Sequence, residues 1–136
     1  MSRPINLDGL AVTMAMTGAR VGEQSFTVGA VVLPDGEPAT RAKASAAMRA
    51  AMVRNIAGRE TDATDVQVPV VSGAGQVATT QPALRIEAVG QAGDRPAYMS
   101  AQFVARGNRA WQAVVIGPRA DPDNARQFLD SLRLAE

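Results

Sequence analysis

"AYMSAQFVARGNRAWQAVVIG", residues Ala97–Gly117, is the stretch that decides the fold. Two strand-like runs flank Gly107-Asn108. A glycine in the first of two loop positions suits a type II′ hairpin, where that residue needs a positive φ. In the first run Met99, Ala101, Phe103 and Ala105 share one face. In the second, Trp111, Ala113 and Val115 share one face, and Val114 and Ile116 the other. A strand apolar on both sides is expected at the centre of a sheet, covered above and below.

Working outward, "DPDNARQFLDSLRL" closes the chain as a helix. Asp121 is the expected N-cap, and Pro122 takes the first helical position, where its missing N–H costs nothing. Asp123 adds negative charge at the positive helix end. Ala125, Phe128, Leu129 and Leu132 form the apolar stripe. Upstream, "ALRIEAVG" sets Leu84, Ile86 and Ala88 against Arg85 and Glu87, a period of two. "ATDVQVPVVSG" is a further strand with Val66, Val68 and Val70 inward; Pro69 cannot donate to a ladder, which places this strand at a sheet edge. "SGAGQ" is punctuation between the two.

"PATRAKASAAMRAAMVRNIAGRE" is the clearest helix, rich in the best helix former. Thr40 is the expected N-cap and Gly58 the stop. Met48, Met52 and Ile56 give one apolar stripe, with Lys43 and Arg54 on the solvated side. Ahead of it, "DGLAVTMAMTG" alternates Leu10, Val12, Met14 and Met16 with Ala11, Thr13 and Ala15. "GARVGE" then turns, and "QSFTVGAVVLPDG" aligns Phe26, Val28, Ala30 and Val32. The expected order is β, β, helix, β, β, β, β, helix. The chain therefore reads as one domain spanning residues 1–136. Its expected class is α+β: an antiparallel sheet of about six strands flanked by two helices, in an α/β/α sandwich.

Composition excludes several chemistries. The chain of 136 residues has no histidine and no cysteine, so no imidazole base, thiolate nucleophile, disulfide or His/Cys metal site exists. Aromatic residues are only 4%, so alanine and valine must fill much of the interior. The net charge of +1 gives no basic footprint for nucleic acid. No apolar run is long enough to span a membrane. Ser25, Ser45, Ser72, Ser100 and Ser131 lack a base other than Lys43, the sole lysine. Asp62 and Asp65 read as a solvated loop, and Asp121 and Asp123 as helix-start residues; neither pair supplies the ligands a hard cation wants. "SGAGQ" matches no phosphate-binding loop. Arg106 and Arg109 flank the hairpin tip beside Trp111, which is expected to pack rather than stack on a base. The sequence thus assigns no catalytic, cofactor-binding or metal-binding residue, implies no cofactor, and is expected not to encode an enzyme. The strand edge near Pro69 and the tip at Gly107-Asn108 are the accessible contact points.

The ending also resembles the PsbP-like family. A strand ending at Gly107, then Arg109, Trp111 and Gln112, the Val114–Ile116 run, Gly117-Pro118, and a helix closing on Phe128, Leu129, Ser131, Leu132, Arg133 and Leu134 follows that family's C-terminal pattern. Trp111 stands for the family's usual tyrosine and Leu132 for a common phenylalanine. The resemblance implies the fold shared by photosystem II PsbP and the Ran-binding Mog protein. It implies a non-catalytic protein-binding or accessory role. Bacterial relatives include exported proteins, lipoproteins and chaperones of secreted effectors. A periplasmic or envelope location after leader removal is favoured over the cytoplasm on the same basis. A small-molecule carrier, with an apolar pocket between sheet and helix, is the alternative.

Overall fold

The computed structural model describes residues 1–135. The elements run β1 (Ser2–Leu7), β2 (Leu10–Val21), β3 (Gln24–Val32), α1 (Pro38–Asn55), β4 (Arg59–Val71), β5 (Val77–Ala92), β6 (Arg95–Arg106), β7 (Arg109–Gly117), α2 (Pro122–Asp130) and β8 (Leu134–Ala135). All strands join one sheet in the order β1-β2-β3-β7-β6-β5-β4-β8. Neighbours are antiparallel except β4 and β8, which run parallel.

This corrects the expected sandwich of about six strands flanked by two helices. The sheet has eight strands and is mixed, and helix makes up only about a fifth of the chain. Both additional strands lie at edges, where alternation is weak. β1 carries Arg3 and Pro4 and buries only Leu7. β8 has two residues, too few for any period. The other boundaries shift because long strands run past their buried parts. β2 continues to Val21 through exposed residues, so the turn falls after Val21 instead of at Gly18. β4 starts at Arg59 and takes in Asp62 and Asp65, which are strand residues, not loop. Pro69 does lie on an outer strand; β8 caps that strand only at Val70 and Val71.

The hairpin at the centre follows its chemistry. Gly107 has φ of 60°, whereas Asn108 stays outside the positive region, as a type II′ turn demands. β6 and β7 are buried on both faces through most of their length. One side packs on α1: Met48, Ala44 and Ile56 meet Met14, Val31, Ile86, Met99, Phe103 and Val114. The other side packs on α2 and the tail: Ala125 and Leu129 are buried, and Phe128 meets Phe26 edge-on at 5.3 Å. Nearby, Val68, Val70, Ala83, Val104 and Leu134 form a second cluster against Trp111.

The helix ends differ in part from the sequence reading. Asp121 caps α2 as expected, accepting from the Asn124 N–H. For α1 the N-cap is Glu37, without a side-chain bond. Thr40 instead lies inside the first turn. At the C-terminus Gly58 N–H reaches Val53 O (3.0 Å) and Ala57 N–H reaches Arg54 O (2.9 Å), a Schellman pair. The left-handed residue of that pair is Ala57, at φ 48°, rather than Gly58. Gly58 serves close approach: a Cβ there would lie 2.6 Å from Val89 O. Gly90 is tighter still, since its Cβ would stand 2.0 Å from Ile56 O. Across this gap Gln91 N–H donates to Ile56 O at 2.6 Å and ties the end of α1 to β5.

Gly90→Ala is therefore expected to cost about 2–4 kcal/mol in urea unfolding, with Gly73→Ala, where nothing lies within 4 Å, as the near-neutral control. Ala57→Gly is expected to stabilise by about 0.5–1 kcal/mol, because the left-handed backbone strains a Cβ.

Candidate functional site

The two sides of the sheet are covered unequally. On the α2 side, the strands β1 to β3 extend beyond any helix. Alternation along β2 places Ala11, Thr13, Ala15, Thr17 and Ala19 there, all exposed. Their partners on β3 are Phe26, Val28 and Ala30, with Val32 following at 57% exposure. Ser2, Pro4 and Asn6 complete the row on β1. None of these residues is charged. Trp111, beside Ala30, borders the surface on β7 and is half-buried. With strands about 4.8 Å apart and about 3.3 Å per residue, the stretches Ser2–Asn6, Ala11–Ala19 and Phe26–Val32 span roughly 330 Å². A patch of this size is comparable to the largest patch of an ordinary monomer, which is often a contact surface.

Two clefts flank the helices. Under α1, a cleft of about 360 Å³ is lined by Ala42, Ser45, Leu84, Phe103 and Ala105, with Arg41, Arg49 and Asp65 at its margin. Small residues at 42, 45 and 46 let the helix stand away from β5 and β6 here. Their i, i+3, i+4 spacing was the one trace of this cleft in the sequence. At the start of α2, a second cleft of about 410 Å³ lies over Glu87, Tyr98, Ser100 and Val115.

Charged groups organise both margins. Arg49 grips Glu60 with two bonds, Nε–Oε2 at 2.7 Å and Nη2–Oε1 at 2.5 Å. That hydrogen bond holds the Glu60 carboxyl below its ordinary range, with burial opposing. Arg85 donates to the buried Gln102 Oε1 and to Asp130, fixing β5 and β6 to the end of α2. Glu23 takes both Arg95 and Arg119, and its pKa falls chiefly through the Arg95 bond. The Thr40 hydroxyl, then the Glu37 N–H, lowers Asp35. No buried side-chain polar atom lacks a partner among the described residues.

The sequence candidates scatter. Lys43 is exposed on α1 and forms no hydrogen bond to a serine among the described residues. Ser100 is buried and donates to Glu87 Oε2 at 2.5 Å; Ser131 donates to Phe128 O. Asp62 lies opposite Glu87 and Asp65 opposite Leu84, so the two acids face opposite sides of the sheet. Asp121 and Asp123 sit at the α2 start, where Asp123 pairs with Arg126. Among the described residues no group of three acids is placed to hold a metal ion. Arg106 reaches Gln81 from the hairpin end, while Arg109 is exposed. Among the described residues no helix is long and apolar enough to cross a membrane.

No family model matches the chain, and no curated protein matches it in sequence. Among solved structures it is similar to the protein of unknown function PA94 from Pseudomonas aeruginosa, for which a regulatory role has been suggested. The TM-score is 0.54 at 11% identity, over 96% of this chain and 95% of that one. Such a likeness speaks for the arrangement of elements alone.

The Arg49–Glu60 pair sets a pH dependence. Glu60 titrates lower in the folded chain than its ordinary 4.5, so its contribution is full above about pH 4.5 and fades as the pH falls through the folded value. Glu60→Gln is expected to cost about 1 kcal/mol at neutral pH. Its unfolding midpoint should also fall less than wild type between about pH 5 and about pH 3, followed by urea titration.

Proposed function

We propose that this protein is a non-catalytic binding domain that holds a neutral, largely apolar segment of another polypeptide on the uncovered face of β1–β3. The observation that carries this reading is the uncharged surface from Ala11 to Ala19 and Val28 to Val32, beyond the reach of α2. Alanine and threonine side chains are short, so a partner backbone can approach closely and gain dispersion over a wide area. Its hydroxyls, those of Ser2, Thr13 and Thr17, have no base or carboxylate beside them on the surface, which favours binding over turnover. The sequence resemblance to PsbP-like domains points to the same class of role.

A second reading is favoured by the cleft under α1. Its volume of about 360 Å³ and its Leu84, Phe103 and Ala105 lining suit a small apolar ligand held between helix and sheet. Native mass spectrometry of the freshly purified chain separates the two: a stoichiometric adduct lost on Ala46→Trp points to the carrier.

The binding reading is tested by retention of a partner from the source cell on immobilised protein. Ala15→Arg and Thr17→Arg place charge on the uncovered face and are expected to reduce retention at least about tenfold. Lys43→Glu and Arg54→Glu, on the solvated side of α1, are expected to leave it unchanged. Equal retention by all four variants sinks the assignment of the face.

A further inference from the structure

We propose that Arg106 and Arg109, at the rim of the β1–β3 face, receive an acidic side chain of the polypeptide held on that face. This rests on the binding reading of the face and gives the partner a charge. Its neutral segment carries an aspartate or glutamate at the end that reaches the β6–β7 turn.

Register brings the two arginines together. Arg106 of β6 and Arg109 of β7 are direct cross-strand partners on either side of Gly107-Asn108. They share the α2 side with Trp111 and Val104, the next pair along that face. Like charges so opposed repel. Among the described residues neither arginine forms an ion pair. Other arginines hold Asp130, Asp123 and Glu23. Arg106 has only the neutral Gln81 amide oxygen, at 3.3 Å. A third guanidinium, Arg41, reaches the same turn from the α1 side and is met by two carbonyls, those of Gly36 and Gly107. Asp35, in the loop beside it, is taken by the Glu37 N–H and the Thr40 hydroxyl. Three cations thus gather at one turn, and among the described residues no carboxylate is paired with any of them.

The second observation is continuity with the bare face. Arg109 lies opposite Val32, which is 57% exposed, and Trp111 lies opposite Ala30. Ala30 in turn lies opposite Ala15 of β2. The arginine pair therefore stands on the surface that carries the uncharged residues, beginning one strand beyond them. From β1 to β7 is three strand spacings, about 14 Å at about 4.8 Å each. That is the length of about four extended or about ten helical residues. A segment laid across the strands meets neutral side chains until it arrives at β7, and there it meets two unmatched guanidinium forks. A carboxylate at that point accepts charge-assisted bonds from both and offsets their repulsion. A lysine there would add one more like charge.

The test is a titration of the full chain with three capped nonapeptides of alanine, valine and threonine that end in two glutamates, two glutamines or two lysines. Binding is followed by calorimetry and by the emission of Trp111, the sole tryptophan. The glutamate peptide is expected to bind at least about tenfold tighter than the glutamine peptide at low salt, and the lysine peptide most weakly. Added salt should narrow the gap. Arg106→Gln and Arg109→Gln should each remove most of the gap and leave the glutamine peptide unaffected. Lys43→Gln and Arg54→Gln, which lose the same charge on α1, should leave the gap as it is. Arg109 is exposed and its replacement relieves a like-charge contact, so Arg109→Gln is expected to unfold at no lower urea concentration than wild type. Equal binding of the glutamate and glutamine peptides, or equal weakening by the α1 variants, overturns the inference and leaves the reading of the face standing. Ala15→Gln separates the opposite case and is expected to weaken both of those peptides alike. No effect of Ala15→Gln, with the gap still lost in the arginine variants, keeps the arginine pair and moves the rest of the partner off the face. No binding of any of the three peptides overturns both.

Discussion

Eight strands and two helices do not match in area, and most of the structure follows from that mismatch. A sheet with an apolar centre must be shielded on both sides, yet the chain supplies one helix of 18 residues and one of nine. The long helix covers the α1 side from β1 to β6. The short one, helped by Leu132 and Leu134 of the tail, covers β6, β7 and the start of β3. Protection is therefore concentrated on the central hairpin, whose strands are apolar on both faces. What lies outside that protection, on the α2 side of β1 to β3, is built of small uncharged residues, alanine, threonine, serine and asparagine, with Val28 and the exposed Val32 among them.

The junction between α1 and the sheet is held by close backbone contact. Ile56 O receives the Gln91 N–H, and two glycines, Gly58 and Gly90, let the backbones meet. This contact sets where α1 ends and hence how far the helix stands off the sheet. The cleft under α1 is the consequence at the other side of the helix, where small residues replace bulky ones. The second cleft arises in a related way: α2 is short, and Pro122 and Asp121 bring the chain across the ends of β6 and β7 without filling the space over Glu87 and Ser100.

Polar groups inside this framework connect elements and carry little exposed charge. Gln102 is nearly inaccessible, yet Arg85 satisfies it and carries the link to Asp130 on α2. Gln112 turns to Met52 of α1. Such satisfied groups pin the register of a core otherwise made of small apolar side chains, which alone would specify it loosely. Asp62 and Glu87 face each other across β4 and β5, Asp62 bonded to Thr64 and Glu87 to Ser100.

Local pattern determined the central elements. Trp111 and Val115 against Val114 and Ile116 marked a strand buried on both faces, Gly107-Asn108 its turn, Met48 and Ile56 the inner stripe of α1, and Asp121 the start of α2. These features rest on side-chain period and turn chemistry, which neighbours in sequence suffice to express. The edge strands were not legible, because Pro4 and Arg3 break the period in β1 and Leu134-Ala135 is too short to have one. Nor could the pattern show that Asp62 meets Glu87 across 25 residues, or that Asp65 faces the opposite side. Those placements depend on strand register, a shift at Thr61 and the limited reach of two helices. Which face stays bare is likewise a property of how much area the helices cover, and only the assembled sheet decides it.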